Sequence, residues 1–172
     1  VYGLAVDPRV PGAGRRLRSA KQRDEKKPFA YLAATQSSVI AFGALMNARE
    51  QRLADAFWPG PLTLVLKMDV TTADEDPLEE GFRAPDSAFV QALMMFMQTP
   101  LLVSSANVSG TAPALTVEDA RCQLGDQIDL YVDAGPITGG AVSSVVRASG
   151  ETLEILREDA ISAERLREVA DP

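Results

Sequence analysis

The sequence predicts an α/β fold: one domain in which a mixed β-sheet carries helices on its faces. Short apolar runs bounded by Gly, Pro and Asn alternate along the chain with stretches whose apolar residues recur at helical spacing, the pattern of strands connected by helices. Two apolar runs lie close together near the C-terminal end, which adds antiparallel pairing and makes the sheet mixed. At 172 residues, 46% hydrophobic and 24% charged, with no linker and no internal repeat, the chain suits a single globular domain over residues 1–172.

The elements follow in order. FAYLAA (29–34) reads as a short buried strand, and Val39, Ile40, Phe42, Leu45 and Met46 then recur near helical spacing. A second helical pattern, Ala48–Phe57, ends at Trp-Pro-Gly-Pro, where proline cannot continue a helix. LTLVLKM (62–68) is a strand and GFRAP (81–85) a short one, while residues 86–100 form a helix capped by Asp86 or Ser87, whose side chains accept from free N–H groups of the first turn. Residues 101–104 are a strand. A helix over Val117–Leu124 opens on Thr116 as cap, and LYVDAG (130–135) is a strand. Residues 141–158 read as a hairpin turning at Ser149-Gly150, and SAERLREVA (162–170) as a closing helix.

Composition removes several classes of function. No apolar run approaches the roughly 18 residues of a membrane helix, so no membrane association is expected. The one cysteine, Cys122, cannot make an internal disulfide, reads as a helix-face residue, and suits a reducing cytoplasm. Histidine is absent, which excludes a Ser-His-Asp triad and removes the commonest general base and the usual zinc ligand. The chain opens on VYGLAVDP with neither methionine nor targeting segment, so the natural protein is expected to extend upstream. Net charge is −7 but uneven: residues 1–30 hold Arg9, Arg15, Arg16, Arg18, Lys21, Arg23, Lys26 and Lys27 against Asp7, Asp24 and Glu25, or +5, leaving −12 for the rest. A polyanion finds one attractive place on such a molecule, although the same stretch also reads as a solvated basic helix and a charged turn.

Four stretches carry candidate chemistry. In LLVSSANVSG, Ser104, Ser105, Asn107 and Ser109 follow the last apolar residue of a strand, where open α/β sheets bind ligands; an ordinary turn uses the same residues. Lys21 and Arg23 are two apart, so an extended segment would point both heads to one side, an arrangement suited to a triphosphate. Arg83 stands in an otherwise apolar strand and needs an anionic partner, a ligand carboxylate or phosphate or a structural acidic residue. Arg157 ends an alternating strand in the same way, and FWPGPLTLVL is a rigid turn into a strand with Trp58 as packing.

VYGLAVDP, KQRDEKKPF, FWPGPLTLVLK, GFRAPD, LLVSSANVSG, AVSSVV and EILRE, in this order and at these separations, resemble the motifs of the YrdC-like threonylcarbamoyl-AMP synthases over nearly the whole chain. The resemblance implies a twisted mixed sheet with a concave ligand cavity. It implies a nucleotidyltransferase that makes threonylcarbamoyl-AMP from L-threonine, bicarbonate or CO2, and ATP, releasing pyrophosphate, for threonylcarbamoyladenosine in tRNA. It assigns Lys21, Arg23, Ser105, Asn107 and Arg157 to the nucleotide, Arg83 to the threonine carboxylate, and Ser143 and Ser144 to the substrate site. It implies no covalent nucleophile and no metal held by side chains, with Mg2+ bound through the phosphates. The implied partners are tRNA or a separate tRNA-modifying transferase in the cytoplasm. Three departures stand out: the family's Pro-Thr-x-Thr segment before Val-Tyr-Gly-Leu lies upstream of this start, KPFAYLAA lacks the histidine some members carry, and Arg147 stands where an acidic residue is common. Two other readings remain open on these residues: a carbamoyltransferase module that uses a carbamoyl adenylate, and a non-catalytic RNA-binding module built on the basic segment 9–27.

Overall fold

The structure is a computed structural model that describes residues 1–25, 27–69, 78–138, 142–149 and 152–171. In chain order the first half contains β1 (Gly3–Val6), α1 (Ala13–Ala20), β2 (Ala30–Leu32), α2 (Gln36–Ala41), β3 (Ala44–Leu45), α3 (Ala48–Phe57) and β4 (Leu62–Met68). The second half contains β5 (Glu79–Arg83), α4 (Ala88–Met97), β6 (Leu101–Ser105), α5 (Val117–Leu124), β7 (Ser144–Arg147), β8 (Glu154–Arg157) and α6 (Ala163–Ala170). These elements fall into two compact units, Val1–Phe29 with Leu102–Gly140, and Ala30–Leu101 with Ala141–Pro172.

In the first unit β1 and β6 pair antiparallel, from Gly3 opposite Ser105 to Val6 opposite Leu102. α1 turns Ala13, Leu17 and Ala20 inward and its four arginine and serine positions outward, so an arginine-rich helix still has an apolar seam. That seam joins Leu4, Ala106, Ala114, Ala120 and Leu124 in one core. α5 begins as the sequence predicts: Thr116 Oγ1 accepts from Asp119 N (3.0 Å) and Asp119 reaches back to Thr116 N (3.2 Å), a reciprocal cap.

In the second unit the strand order is β2-β5-β4-β7-β8, with β3 also on β4. β2 with β5 and β4 with β7 are parallel; β4 with β5, β7 with β8 and β3 with β4 are antiparallel. The sheet is therefore mixed, as expected. β4 is its spine, with Leu62, Leu64 and Leu66 fully buried on one face, where each side chain contributes about 1.5–3 kcal/mol. α3 and α6 pack on each other, burying Leu53, Ala54, Leu166 and Ala170 in the same core. Thr63 alternates to the opposite face of β4.

Two expectations change, one strand is added, and one expected turn lies partly outside the described residues. The helical pattern after β2 stops at Phe42 because Gly43 takes a φ of +105°, and Leu45 belongs to β3 instead. Residues 130–135 form no strand: Leu130 is 75% exposed, and Asp133 Oδ1 accepts from Tyr2 Oη and from Gly135 N, so local bonds replace a ladder. β1 arises from VYGLAV, which carried no strand assignment. The closing hairpin forms, but the second residue of its expected turn, Gly150, lies outside the described residues.

Candidate active site

The first unit gathers Lys21, Ser105 and Asn107. β6 ends on Ser105, α1 is capped by Lys21, and the loop after β6 wraps around the lysine. Lys21 Nζ donates to the carbonyl oxygen of Ser105, to that of Asn107 (2.7 Å) and to Asn107 Oδ1 (3.4 Å). Its own carbonyl accepts from Ser109 N at 2.8 Å. Ser105 Oγ donates to Asn107 Oδ1, and Asn107 Nδ2 donates to the carbonyls of Val108 (2.8 Å) and Thr111 (2.9 Å). The Lys21 side chain is 1% exposed; burial, and then Arg23, lower its pKa from the ordinary 10.5 to about 8.

Lys21 and Arg23 do not point side by side along an extended segment. Gln22 between them has a φ of 49°, so the chain turns; the lysine goes inward, while Arg23 lies over the Phe29 ring (5.2 Å to its centre) and donates from Nη2 to Pro28 O (2.9 Å). Arg18 covers the same ring at 4.7 Å. Burial, and then Arg18, lower the proton affinity of Arg23. Among the described residues no ion pair reaches Arg18, Lys21 or Arg23, whereas Arg9 pairs with Asp7 and Arg16 with Asp129. Lys26 lies outside the described residues.

The second unit gathers Arg83, Ser143 and Arg157 around the turn that enters β4. Arg83 Nε donates to Gly60 O (2.9 Å), Gly60 N to Ala84 O (2.8 Å), and Ser144 N to Pro61 O (2.9 Å). Thr63 Oγ1 and Ser143 Oγ are 2.8 Å apart. Arg157 donates from Nε (2.9 Å) and Nη2 (2.6 Å) to Ser143 O and from Nη2 to Ser143 Oγ (3.2 Å). Burial, and then the like charge of Arg157, lower the proton affinity of Arg83, and neither arginine is ion-paired to a described carboxylate. The terminal nitrogens of Arg83 make no hydrogen bond to a described residue, leaving a two-pronged donor of the shape a carboxylate fits.

Ser144 departs from its neighbour. It is fully buried, and its hydroxyl donates to Ile161 O (2.9 Å) while accepting from Asp159 N and Ile161 N, so it anchors the segment before α6. Thr63 joins the cluster without having been singled out, because a threonine in LTLVLKM reads as a strand former; its alternation with buried leucines was the usable signal. The Pro-Gly-Pro turn, read as packing, also supplies the carbonyl that orients Arg83. Among the described residues no group of three or more His, Cys, Asp or Glu side chains is arranged to hold a metal ion, and no helix is long and apolar enough to cross a membrane.

The Sua5/YciO/YrdC family model, described as telomere recombination, matches residues 1–159. A Mycobacterium tuberculosis (strain CDC 1551 / Oshkosh) protein, 35% identical over 175 residues that cover 98% of this chain and 79% of that one, carries the name threonylcarbamoyl-AMP synthase provisionally. The threonylcarbamoyl-AMP synthase of Idiomarina loihiensis is 31% identical over 169 residues, covering 93% of this chain and 88% of that one. The crystal structure of P. abyssi Sua5 complexed with L-threonine matches with a TM-score of 0.86 at 26% identity, covering 98% of this chain and 51% of that one. The chain belongs to the Sua5/YciO/YrdC family.

Proposed function

We propose that this protein is an L-threonylcarbamoyladenylate synthase, a nucleotidyltransferase that forms threonylcarbamoyl-AMP from L-threonine, bicarbonate or CO2, and ATP. The observation that carries the reading is electrostatic: in a chain of net charge −7, each unit holds cations with no ion pair to a described carboxylate, Lys21 and Arg23 in one and Arg83 and Arg157 in the other. Lys21 is buried and Arg23 and Arg83 partly so, and such cations are costly unless an anion completes them. Lys21 and Arg23 suit a polyphosphate, and Arg83 suits an amino-acid carboxylate.

In that reaction the threonine amine adds to CO2 and loses a proton, giving a carbamate. A carbamate oxygen then bonds to the α-phosphorus of ATP as the bond to the departing pyrophosphate breaks. No covalent enzyme intermediate and no histidine is required; the task is alignment of mutually repelling anions and stabilisation of charge on phosphate oxygens. Arg83 takes the threonine carboxylate, and Ser143, hydrogen-bonded to Thr63, offers a hydroxyl beside it. Lys21, Arg23, Ser105 and Asn107 build the phosphate-binding loop, and Arg157 is assigned to the nucleotide. The donors here are ammonium, guanidinium, amide and hydroxyl groups with no carboxylate among them, so Mg2+ would be held through the phosphates of ATP, where it would supply charge neutralisation. We place the reaction in the cytoplasm, with tRNA and a downstream transferase as consumers of the product.

Pyrophosphate release from ATP and bicarbonate tests the reading: it is expected to require L-threonine and to fall strongly when L-serine replaces it. Release that ignores the amino acid, or that needs carbamoyl phosphate instead, would assign the chain to carbamoyl transfer.

A further inference from the structure

Within the loop after β6, the residues that look most like phosphate ligands have no hydrogen-bonding capacity left. An ammonium has three N–H donors, and all three of Lys21 are engaged by Ser105 and Asn107. Asn107 accepts from Lys21 and Ser105 and donates both amide hydrogens to Val108 and Thr111. From the other side α5 contributes Gln123, whose Oε1 accepts from Val108 N (3.1 Å) and Thr111 Oγ1 (2.6 Å) and whose Nε2 donates to Ala112 O (3.1 Å). Two side chains from two helices thus fix residues 105–112 through main-chain and side-chain contacts. Two donors remain over: Ser109 Oγ and Arg23 Nε are shielded from solvent and have no hydrogen-bond partner among the described residues. Ser109 is joined to Lys21 through its main-chain N–H, and Arg23 lies two residues beyond that lysine. Buried donors without acceptors are rare, and both would be satisfied by an anionic oxygen. Both atoms are shut off from solvent in this state, so a ligand oxygen reaches them only after the side chains turn.

We infer that Lys21, Asn107 and Gln123 are positioning residues that hold the loop, and that Ser109 adds a donor, alongside the Arg23 that the family resemblance already assigns to the nucleotide, to meet a phosphate group of the ligand. The inference rests on the nucleotide reading above and divides labour inside it. Gln123 stands outside the sequence motifs, and Ser109 is not among the residues the family resemblance assigns.

The test is calorimetric titration of the full chain with ATP, with inorganic tripolyphosphate and with L-threonine, alongside thermal melts and steady-state pyrophosphate release with each substrate varied, on wild type, Ser109→Ala and Gln123→Ala. Ser109→Ala removes a hydroxyl that bonds nothing among the described residues, so it is expected to melt no lower than wild type, yet to bind both ATP and tripolyphosphate about tenfold more weakly, with threonine binding unchanged. Gln123→Ala is expected to raise the KM for ATP severalfold while leaving the KM for threonine in place, a split that general loss of stability would not produce. Unchanged ATP affinity in Ser109→Ala, or a matched rise in both KM values in Gln123→Ala, overturns the inference while the synthase reading stands. Absence of ATP binding by wild type overturns the synthase reading, and this inference with it.

Discussion

Lys21 is a charged side chain folded into the protein: its ammonium is closed over by the loop it organises, and burial followed by repulsion from Arg23 lowers its pKa to about 8. The three acceptors around it favour the charged form. Between pH 8 and 10.5 the unfolded chain holds a proton here that the folded chain has released. This group's contribution to stability therefore rises with pH across that window and is constant below it, where both states are protonated and the cost of the buried charge is present in full. Urea unfolding at pH 7.5 and pH 9.5 checks this against Lys21→Met: the stability of wild type relative to the variant is expected to grow by about 2 kcal/mol between the two. Parallel profiles would mean that the ammonium is not desolvated in the fold. At this scale the sequence was legible by residue type. Lone cations and Ser-x-Asn stood out, whereas Thr63 and Gln123 did not, since one reads as a strand former and the other as an exposed helix face. Only the fold shows which hydroxyl or amide they meet.

The turn entering β4 acts as one rigid element. Gly60 is held from its N–H by Ala84 O and returns its own carbonyl to Arg83, and a Cβ at this position would lie inside contact distance of the Phe57 carbonyl oxygen. That obstacle is backbone, so it cannot rotate away. Gly60→Ala is expected to lower stability by about 2 kcal/mol or more and to weaken threonine binding about tenfold, because Arg83 loses its fixed carbonyl. A melt and a threonine titration indistinguishable from wild type would show that the turn absorbs a methyl group and does not set the arginine. The elements legible in the sequence were those with their own local signals, such as α5 with its Thr116 cap and β4 with leucines on alternate positions. The errors came where a neighbour decides. LYVDAG has strand composition but no partner, since the Tyr131 hydroxyl donates to Gly125 O and Asp133 bonds locally. The pattern through Leu45 and Met46 looked helical until one left-handed glycine ended it.

For the molecule as a whole, the absence of histidine and the segregation of charge say more than any single motif. Under the proposed reading, a chain without histidine and with a net charge of −7 does its chemistry by placing positive charge, and each unit holds cations with no ion pair to a described carboxylate. If Arg23 serves the phosphates and Arg83 the carboxylate, their losses separate by substrate. Losing a charge-assisted contact costs roughly 1.5–3 kcal/mol, which is about a tenfold effect or more on the substrate concerned. Arg23→Ala is therefore expected to lower turnover at limiting ATP at least about tenfold, with the KM for threonine within about twofold of wild type. Arg83→Ala is expected to do the reverse, raising the KM for threonine by a similar factor and sparing ATP. Steady-state pyrophosphate release, with each substrate varied at saturation of the other, reads both. Both variants keep wild-type folding under this account, because neither cation is ion-paired to a described carboxylate that its loss would strand. Effects of both substitutions falling on the same substrate would mean that Arg23 and Arg83 share one anion, and the assignment of Arg23 to the polyphosphate and Arg83 to the carboxylate would fail.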